Sequence, residues 1–416
     1  MAPRKARCRS RRRRRRQQEE ERRPWRDLPA DVVSQITSAR EMSLVDYTSI
    51  RGVCWRSSMP PATPLLFYTA YGPGHAPYEP ELFAAAFSLP AQRRLDVRGM
   101  LDPVLTTGSV CVGSGHGWIA VDERIRSPYR RLILTNPISG VRIRLPELLN
   151  VAEWEVKKVV FAPNPTEADF TAVAIYGRGN DWNVAYARSG DEDWTEVKQD
   201  YPRQCIKNTI VDLVYHDDGR VYCLTLASAV RVICIPAPGG GGGEAQKARV
   251  KSLLPEGNGS LPFDPARVFA VKRFKFLFDY LRAGHNERYL VFCEGVMYQV
   301  WRNLVNIRRA VLFGGLEETE LGKEIIVLKH DPGSWPCWKE VDDLGGYSVF
   351  LGKNNAVSVR VAGTPWVRAN CVYWIGGPEE ETAMVFDMAT QITTLCVPNG
   401  SLEGFHRWAS CWYFLK

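Results

Sequence analysis

The tetrapeptide Trp338-Lys339-Glu340-Val341 decides the fold of this 416-residue chain, because it repeats the earlier Trp194-Thr195-Glu196-Val197. Each copy follows a short β-type run and a polar turn. A second pair recurs in the same way: Asn136-Pro137-Ile138-Ser139-Gly140 leads to Leu145-Pro146, and Asp387-Met388-Ala389-Thr390-Gln391 leads to Val397-Pro398. A turn, a strand and an anchoring aromatic residue that recur along a chain are typical of propeller blades. The echoes therefore predict a β-propeller.

The long part of the chain, 65–416, consists of short runs rich in Val, Ile, Tyr and Trp that Gly, Pro, Asp and Asn separate, which is typical of strands. The runs include 131–135, 156–161, 171–176, 221–226, 230–235, 289–292, 324–328 and 372–375. Similar residues open three of the strands, at Gly219-Arg220-Val221-Tyr222, Gly295-Val296-Met297-Tyr298 and Asn370-Cys371-Val372-Tyr373. At about 40–50 residues per blade, this part allows about six to eight blades. The predicted fold class is mainly β.

Composition excludes several classes of protein. The chain is 45% hydrophobic, 24% charged and 11% aromatic, which is ordinary for a globular protein. No stretch approaches the roughly 18–20 apolar residues that cross a bilayer, and no apolar core follows the basic start. We therefore expect a soluble intracellular protein without a membrane partner. Eleven scattered cysteines without a C-x-x-C pair favour free thiols over a metal site.

Excess positive charge is confined to the N-terminus. Residues 1–23 hold 12 Lys and Arg and three Glu, whereas the remainder holds 42 basic and 43 acidic residues. Such a tail repels itself and is predicted to be disordered. It contains an unbroken run of Arg11, Arg12, Arg13, Arg14, Arg15 and Arg16. The run is interpreted as a solvated tail, a nuclear import signal or a phosphate-backbone contact, and we expect a protein of nucleus and cytoplasm. Basic and acidic residues balance over the rest of the chain, so it has no overall positive potential that would attract nucleic acid.

Two segments are predicted to connect other elements. Residues 59–64 are rich in proline, which forces an extended chain and indicates a linker. Residues 236–243 contain five consecutive glycines but lack the Gly-Lys-Ser/Thr ending of a phosphate-binding loop, so they indicate a flexible surface loop.

No motif predicts catalysis. In Gly113-Ser114-Gly115-His116-Gly117 the central residue is not the serine that a nucleophile elbow needs, so these are predicted to be turn glycines between blades, with His116 in a turn or at a rim. Tyr215-His216-Asp217-Asp218-Gly219 predicts a hairpin turn, and 379–381 a solvated acidic loop. We therefore expect no catalytic residue, no cofactor and no metal, and predict that the protein is not an enzyme.

A short helical module is predicted over 24–58. Leu28, Val32, Val33 and Ile36 share one face at helical spacing, and Pro29 suits a first helical position. Ser43 begins a capping-box-like start of a second helix, and a third short element follows Gly52. Three helices in so few residues cannot enclose a core. They must dock on a larger surface, either of this chain or of a partner.

This module resembles an F-box. The resemblance rests on Trp25-Arg26-Asp27-Leu28-Pro29-Ala30-Asp31-Val32-Val33, then Ile36, Asp46, Arg51, Val53-Cys54 and Trp55-Arg56. The chain departs from the family pattern at two places: no residue separates Cys54 from Trp55, and Arg40 replaces an apolar residue. The resemblance implies docking on a Skp-type subunit through Leu28, Pro29, Asp31, Val32, Ile36, Leu44, Val53, Cys54 and Trp55.

The body resembles the KIB-type β-propeller of a large plant F-box group. The matching pieces are Gly113-Ser114-Gly115-His116-Gly117-Trp118, Leu134-Thr135-Asn136-Pro137, Tyr289-Leu290-Val291, Gly295, Val300-Trp301-Arg302, Trp338-Lys339-Glu340-Val341, Leu344-Gly345-Gly346, Phe350-Leu351-Gly352 and Asn370-Cys371-Val372-Tyr373. Together the two resemblances imply the substrate-recognition adaptor of a Skp–cullin–F-box ubiquitin ligase, in which the propeller binds a target protein.

Two other hypotheses remain open at this stage. In the first, the F-box is degenerate and the protein is a nuclear scaffold or a nucleic-acid-associated interaction protein, which predicts salt-sensitive association with nucleic acid. In the second, the propeller is an enzyme, which requires clustered titratable groups in its central channel.

Overall fold

The computed structural model describes residues 64–72, 81–89, 92–95, 97, 109–123, 131–147, 155–178, 181–197, 209–236, 248–254, 261–263, 286–303, 323–362, 364, 367–375, 383–397 and 407–414. This part contains six antiparallel or mixed sheets and no helix. In the same residues no helix is long or apolar enough to cross a membrane. The predicted tail 1–23, the helical module 24–58 and residues 59–63 of the predicted linker lie outside the described residues.

Each sheet is one blade of a six-bladed propeller. Blade 1 contains β1 (Pro64–Gly72), β2 (Glu81–Ser88), β3 (Arg93–Leu95) and the last strand, β25 (Arg407–Phe414). Blade 2 contains β4 (Ser109–Gly115), β5 (Trp118–Glu123), β6 (Arg131–Thr135) and β7 (Arg142–Arg144). Blade 3 contains β8 (Glu155–Phe161), β9 (Thr171–Arg178), β10 (Asp181–Arg188) and β11 (Thr195–Glu196).

The remaining blades follow in chain order. Blade 4 contains β12 (Ile210–Tyr215), β13 (Val221–Thr225), β14 (Val230–Cys234) and β15 (Arg249–Leu254). Blade 5 contains β16 (Asn286–Cys293), β17 (Val296–Asn303), β18 (Ile325–His330) and β19 (Trp338–Val341). Blade 6 contains β20 (Tyr347–Leu351), β21 (Val357–Arg360), β22 (Cys371–Ile375), β23 (Ala383–Asp387) and β24 (Ile392–Leu395). Six is the lower end of the predicted range of blades.

The ring closes because the C-terminal strand completes the first blade. β25 pairs antiparallel with β1, from Pro64 opposite Phe414 to Ala70 opposite Arg407. Apolar clusters then join each blade to its neighbours in sequence: 2 to 3, 3 to 4, 4 to 5, 5 to 6, and 6 back to 1. Blades 1 and 2 meet through a hydrogen bond of 3.0 Å from the Tyr413 hydroxyl to the Gly117 carbonyl. Burial of apolar area between blades is the main stabilising term of such a ring.

The sequence echoes occupy equivalent positions in their blades, which confirms the predicted repeats. Trp194 directly precedes β11, the outermost strand of blade 3, and Trp338 is the first residue of β19, the outermost strand of blade 5. Asn136 and Asp387 begin the turns before the outermost strands of blades 2 and 6, where each side-chain oxygen accepts two backbone N–H groups. In such Asx turns the side-chain oxygen binds backbone N–H groups that would otherwise pair with a neighbouring strand, so the strand ends there.

Two first-to-second strand turns have the tight two-residue form. His116 and Gly117 have φ of 53° and 81°, and Glu294 and Gly295 have φ of 49° and 78°. Positive φ at both positions matches the right-handed twist of the paired strands, and glycine adopts it without steric cost. The predictions of turns at His116 and at Asp218-Gly219 are confirmed, the latter by a hydrogen bond from the Gly219 N–H to the His216 carbonyl.

The interpretation of 113–117 as turn glycines between blades was wrong. Gly113 and Gly115 lie inside β4, and Gly117 turns the chain within blade 2. A Cβ at position 113 would lie 2.0 Å from the carbonyl oxygen of Val159 in blade 3. The glycine is therefore required by the close approach of two neighbouring blades. Pro64, the last residue of the predicted linker, is the first residue of β1.

Blade 6 has an additional strand. β20 pairs antiparallel with β21 on one side and parallel with β22 on the other. β21 lies against blade 5, where the Ser358 hydroxyl donates to the Phe292 carbonyl at 2.7 Å. The chain between β20 and β21, residues 352–356, is consequently placed toward the inner strands of the other blades.

Candidate interaction surface and the propeller axis

One end of the propeller carries its tight turns. Antiparallel pairing places the first-to-second and third-to-fourth strand turns of a blade at the same end. Contacts between neighbouring blades show that blades 4, 5 and 6 share this end: the His216 ring lies 4.4 Å from that of Phe292, and the Tyr347 hydroxyl bonds to Glu294. We call this end the hairpin face. It is defined by the turns 116–117, 136–141, 189–194, 216–220, 294–295, 331–337 and 388–391.

Three exposed apolar side chains lie on the hairpin face. Trp335, in the third-to-fourth strand turn of blade 5, is 69% exposed. Val141 and Ile392 are 49% and 57% exposed, and each directly follows the positive-φ residue of an equivalent turn. Single exposed aliphatic residues are ordinary, but an indole exposed to this extent is typical of a residue that anchors a partner.

The turn that presents Trp335 is held by polar contacts. The Asp331 carboxylate accepts the Gly333 N–H at 3.1 Å and forms an ion pair with Lys339. The Lys339 ammonium and the Gly333 N–H lower the pKa of Asp331. The Ser334 hydroxyl also lies 3.3 Å from the Asp331 carbonyl oxygen. The exposed indole is therefore displayed by a turn of defined shape.

A second polar group on this face surrounds Asp218. Its carboxylate accepts the Tyr222 hydroxyl at 2.8 Å and the Arg220 N–H at 3.0 Å, and His216 Nδ1 lies 3.1 Å away. Burial raises the pKa of Asp218, but the hydrogen bonds from Tyr222, Arg220 and His216 outweigh it and lower the pKa. Burial and the same carboxylate raise the pKa of Tyr222. These groups fix the turn, and each already has a partner.

Near the propeller axis, one carboxylate joins three blades. Asp212 of β12 is 2% exposed and accepts the Lys158 ammonium of blade 3 at 2.5 Å. Its other oxygen accepts the backbone N–H of Leu290, in the inner strand of blade 5, at 2.9 Å. Both carboxylate oxygens are thus engaged, and Lys158 is 4% exposed. A buried charge with a partner of this kind is a structural cross-link between blades.

A second axial cross-link comes from Asn355. Its backbone N–H donates to the Ser114 carbonyl of blade 2 at 2.7 Å. Its side-chain amide accepts the Tyr215 N–H and donates to the Tyr215 carbonyl, each at 2.8 Å, in blade 4. Blades 2 and 4 are not neighbours of blade 6 in the ring, so the 352–356 loop crosses the axis. By accepting one backbone N–H and donating to one backbone C=O of the same residue, the amide makes the two hydrogen bonds that a neighbouring strand would make to β12.

Two further contacts complete the axial network. The Ser114 hydroxyl donates to the Trp412 carbonyl, and the Trp412 indole N–H donates to the Leu351 carbonyl at 3.1 Å. They join blade 2 to blade 1 and blade 1 to blade 6. All six blades are therefore linked by polar contacts at their inner strands.

A surface pocket of about 560 Å³ lies at the outer side of blades 2 and 3. Its charged lining residues are Arg131, Arg142, Arg144, Glu123, Glu167 and Asp191. The signs balance, so the pocket does not select an ion of either charge. Within the described ranges, no group of three His, Cys, Asp or Glu side chains could hold a metal ion.

Every residue of the predicted docking face, and every arginine of 11–16, lies outside the described residues, as does the acidic loop 379–381. Asp212, Lys158 and Asn355 are not among the sequence-predicted site residues. A signal existed, because Asp212 interrupts the apolar run Ile210-Val211-Asp212-Leu213-Val214, and a carboxylate in a buried strand needs a partner.

Comparison with known families agrees with the propeller. The chain matches the family described as KIB1-4 beta-propeller over residues 86–394. The chain belongs to the KIB1-4 beta-propeller family. The KIB-type resemblance of the body is thereby confirmed, and the matched residues extend from blade 1 to the last strand of blade 6. No curated protein matches this KIB1-4 propeller.

Solved structures show distant likenesses to the KIB1-4 propeller. A prolyl endopeptidase matches at 10% identity and a TM-score of 0.31, over 83% of this chain and 49% of its own length. The α-L-arabinofuranosidase CtGH43 of Clostridium thermocellum matches at 12% identity and a TM-score of 0.29, over 67% of this chain and 93% of its own. At these identities and scores, neither likeness bears on activity.

Proposed function

We propose that this KIB1-4 propeller is the target-binding domain of a substrate-recognition adaptor in a Skp–cullin–F-box ubiquitin ligase. One observation carries the proposal: a segment with the order of F-box residues, from Trp25 to Arg56, precedes a domain of the KIB1-4 family. Propellers with short turns and a rigid ring are suited to holding another protein. The carboxylate of Asp212 near the axis is engaged by Lys158 and Leu290, which favours binding over chemistry.

The adaptor would act through proximity alone. Helices within 24–58 would bind a Skp-type subunit and, through it, a cullin, while the propeller holds the target. Fixing the target near a ubiquitin-loaded enzyme raises its effective concentration at a reactive centre on another subunit. No bond is made or broken by this chain in the proposal.

The docking half of the proposal is tested with the double variant Leu28→Ala/Pro29→Ala. Removing two apolar anchors from one docking face costs about 2 kcal/mol or more each, so recovery of the Skp-type subunit should fall more than tenfold. The measurement is quantitative mass spectrometry of proteins that co-purify with tagged protein.

Ser34→Ala is the matched control, because position 34 lies opposite the predicted apolar face at helical spacing, and it should leave recovery unchanged. Recovery of the Skp-type subunit by the double variant at the wild-type level would contradict the adaptor role. If the wild-type protein recovers no Skp-type subunit but shows salt-sensitive binding of nucleic acid, the nuclear scaffold with a degenerate F-box replaces it.

The binding half is tested with Trp335→Ala. The side chain is exposed on the hairpin face, so the free energy of unfolding should change by less than about 0.5 kcal/mol. Target recovery should fall about tenfold or more while the Skp-type subunit is retained, the reverse of the docking variant. Leu253→Ala is the control, because Leu253 is 46% exposed on the outer strand β15. An unchanged set of target proteins would exclude Trp335 as an anchor.

A further inference from the structure

The outer edge of blade 6 differs from the other five outer edges. An edge strand leaves N–H and C=O groups unpaired, and proteins protect such edges with charged side chains. The outermost strands β3, β7, β11, β15 and β19 each carry at least one charged residue, such as Arg142 and Arg144 in β7 or Lys339 and Glu340 in β19. The outermost strand of blade 6, β24, reads Ile392-Thr393-Thr394-Leu395 and carries none.

The hydrogen-bond pattern shows which groups of this edge point outward. The Cys396 N–H donates to the Ala383 carbonyl at 2.8 Å, so residues 396, 394 and 392 bond inward to β23. Because hydrogen-bonding direction alternates along a strand, the N–H and C=O groups of Thr393 and Leu395 point away from the blade. The edge therefore offers two donors and two acceptors at the spacing of a β-ladder.

The two faces of the sheet at β24 carry different charged residues, Arg368 near Thr394 on one face and Glu324 near Thr393 on the other. The guanidinium of Arg368, an exposed residue, donates to the Thr394 hydroxyl at 3.3 Å, and the contacts of the described residues give it no carboxylate partner. On the other side lies Glu324, whose pKa is raised because burial outweighs the lowering effect of the Thr393 hydroxyl. A strand that pairs with β24 would thus meet a cation opposite Thr394 and an acid beside Thr393.

We propose that β24 is a docking edge for an extended acidic segment of the target protein, which adds a strand to blade 6. The residue of that segment opposite Thr394 is Asp or Glu, which pairs with Arg368, and its two neighbours are uncharged because they face the Glu324 side. Main-chain bonds to Thr393 and Leu395 supply affinity, and the acidic residue supplies selectivity. A second copy of this chain fits less well, because pairing of two β24 edges would bring two Arg368 side chains together. The inference rests on the proposed function only in calling the partner a target.

The test uses a defined peptide and the full-length protein. The probe is fluorescein-labelled Thr-Thr-Val-Glu-Val-Thr-Thr with blocked ends, and its matched control has Lys in place of Glu. Fluorescence anisotropy at low salt should show binding of the Glu peptide about five- to tenfold tighter than that of the Lys peptide. Arg368→Gln should remove this difference, because the backbone bonds remain and the charge is lost.

A proline distinguishes strand addition from simple charge attraction. Leu395→Pro deletes an N–H that points outward, leaves the inward bonds of β24 in place and keeps the Thr393 hydroxyl beside Glu324, so the fold is retained. It should weaken binding of the Glu peptide at least fivefold with an unchanged midpoint of thermal unfolding. No binding of the Glu peptide by the wild-type protein, or equal binding of both peptides, would overturn the docking edge. Neither result affects recovery of the Skp-type subunit, which tests the adaptor role separately.

Discussion

The variant Asp212→Ala is expected to lose about 3–5 kcal/mol of unfolding free energy. The substitution leaves the Lys158 ammonium, 4% exposed, without its partner in blade 4, and it also removes the acceptor of the Leu290 N–H in blade 5. An uncompensated buried charge is costly because its hydration was lost when the blades assembled. Urea denaturation followed by tryptophan fluorescence measures the effect.

The control for this variant removes both charges together. Lys158→Met with Asp212→Leu replaces the ion pair by apolar side chains, so stability should recover to within about 2 kcal/mol of the wild-type protein. A loss by Asp212→Ala of less than about 1 kcal/mol would show that the ammonium reaches water and that the carboxylate is not a cross-link. The comparison separates the cost of an unpaired charge from the contribution of the pair itself.

The axial network suggests why this propeller needs polar contacts at its centre. In the described residues, apolar clusters join blades 2 to 3, 3 to 4, 4 to 5, 5 to 6 and 6 to 1, but they do not fix blades on opposite sides of the ring relative to one another. Asp212 joins blades 3, 4 and 5, and Asn355 joins blade 6 to blades 2 and 4. Directional bonds set distances across the axis, which non-directional burial does not.

The propeller could be predicted from sequence because its signals are local. The Asn136 and Asp387 turns, and the openings at Gly219 and Gly295, each depend on residues within one hairpin. Such turn chemistry recurs wherever a blade recurs, so repetition reveals it. The number of blades was less well determined because the echoes are irregular, and the additional strand β20 of blade 6 has no counterpart in the other blades.

The candidate site could not be predicted, because its geometry depends on long-range placement. Asn355 bonds to Tyr215, 140 residues earlier, and nothing near Asn355 in the sequence marks the loop as axial. Gly113 was misassigned for the same reason: its requirement comes from Val159 in the next blade rather than from a turn. The exposed edge β24 is visible only when six outer strands are compared, which requires the topology.

The variant Asn355→Ala is expected to lose about 1–3 kcal/mol of unfolding free energy, because it leaves the partly buried N–H and C=O of Tyr215 without their partners. The loss of stability should also appear as local opening of the backbone around Tyr215 in the folded protein. Exchange of the Tyr215 amide hydrogen should accelerate at least tenfold in native conditions, since that N–H no longer has an acceptor. Hydrogen exchange read by mass spectrometry of the peptide containing β12 measures this, and urea denaturation measures stability.

Two further substitutions make the expectation specific. Asn355→Asp keeps an acceptor for the Tyr215 N–H but places a carboxylate against the Tyr215 carbonyl, so it should destabilise at least as much as Asn355→Ala. Lys353→Ala changes an exposed residue of the same loop and should alter stability by less than about 0.5 kcal/mol. If all three variants unfold alike, the loop contributes through its backbone alone. The Asn355 side-chain amide would then contribute nothing to stability, and the blades would be positioned by their apolar clusters.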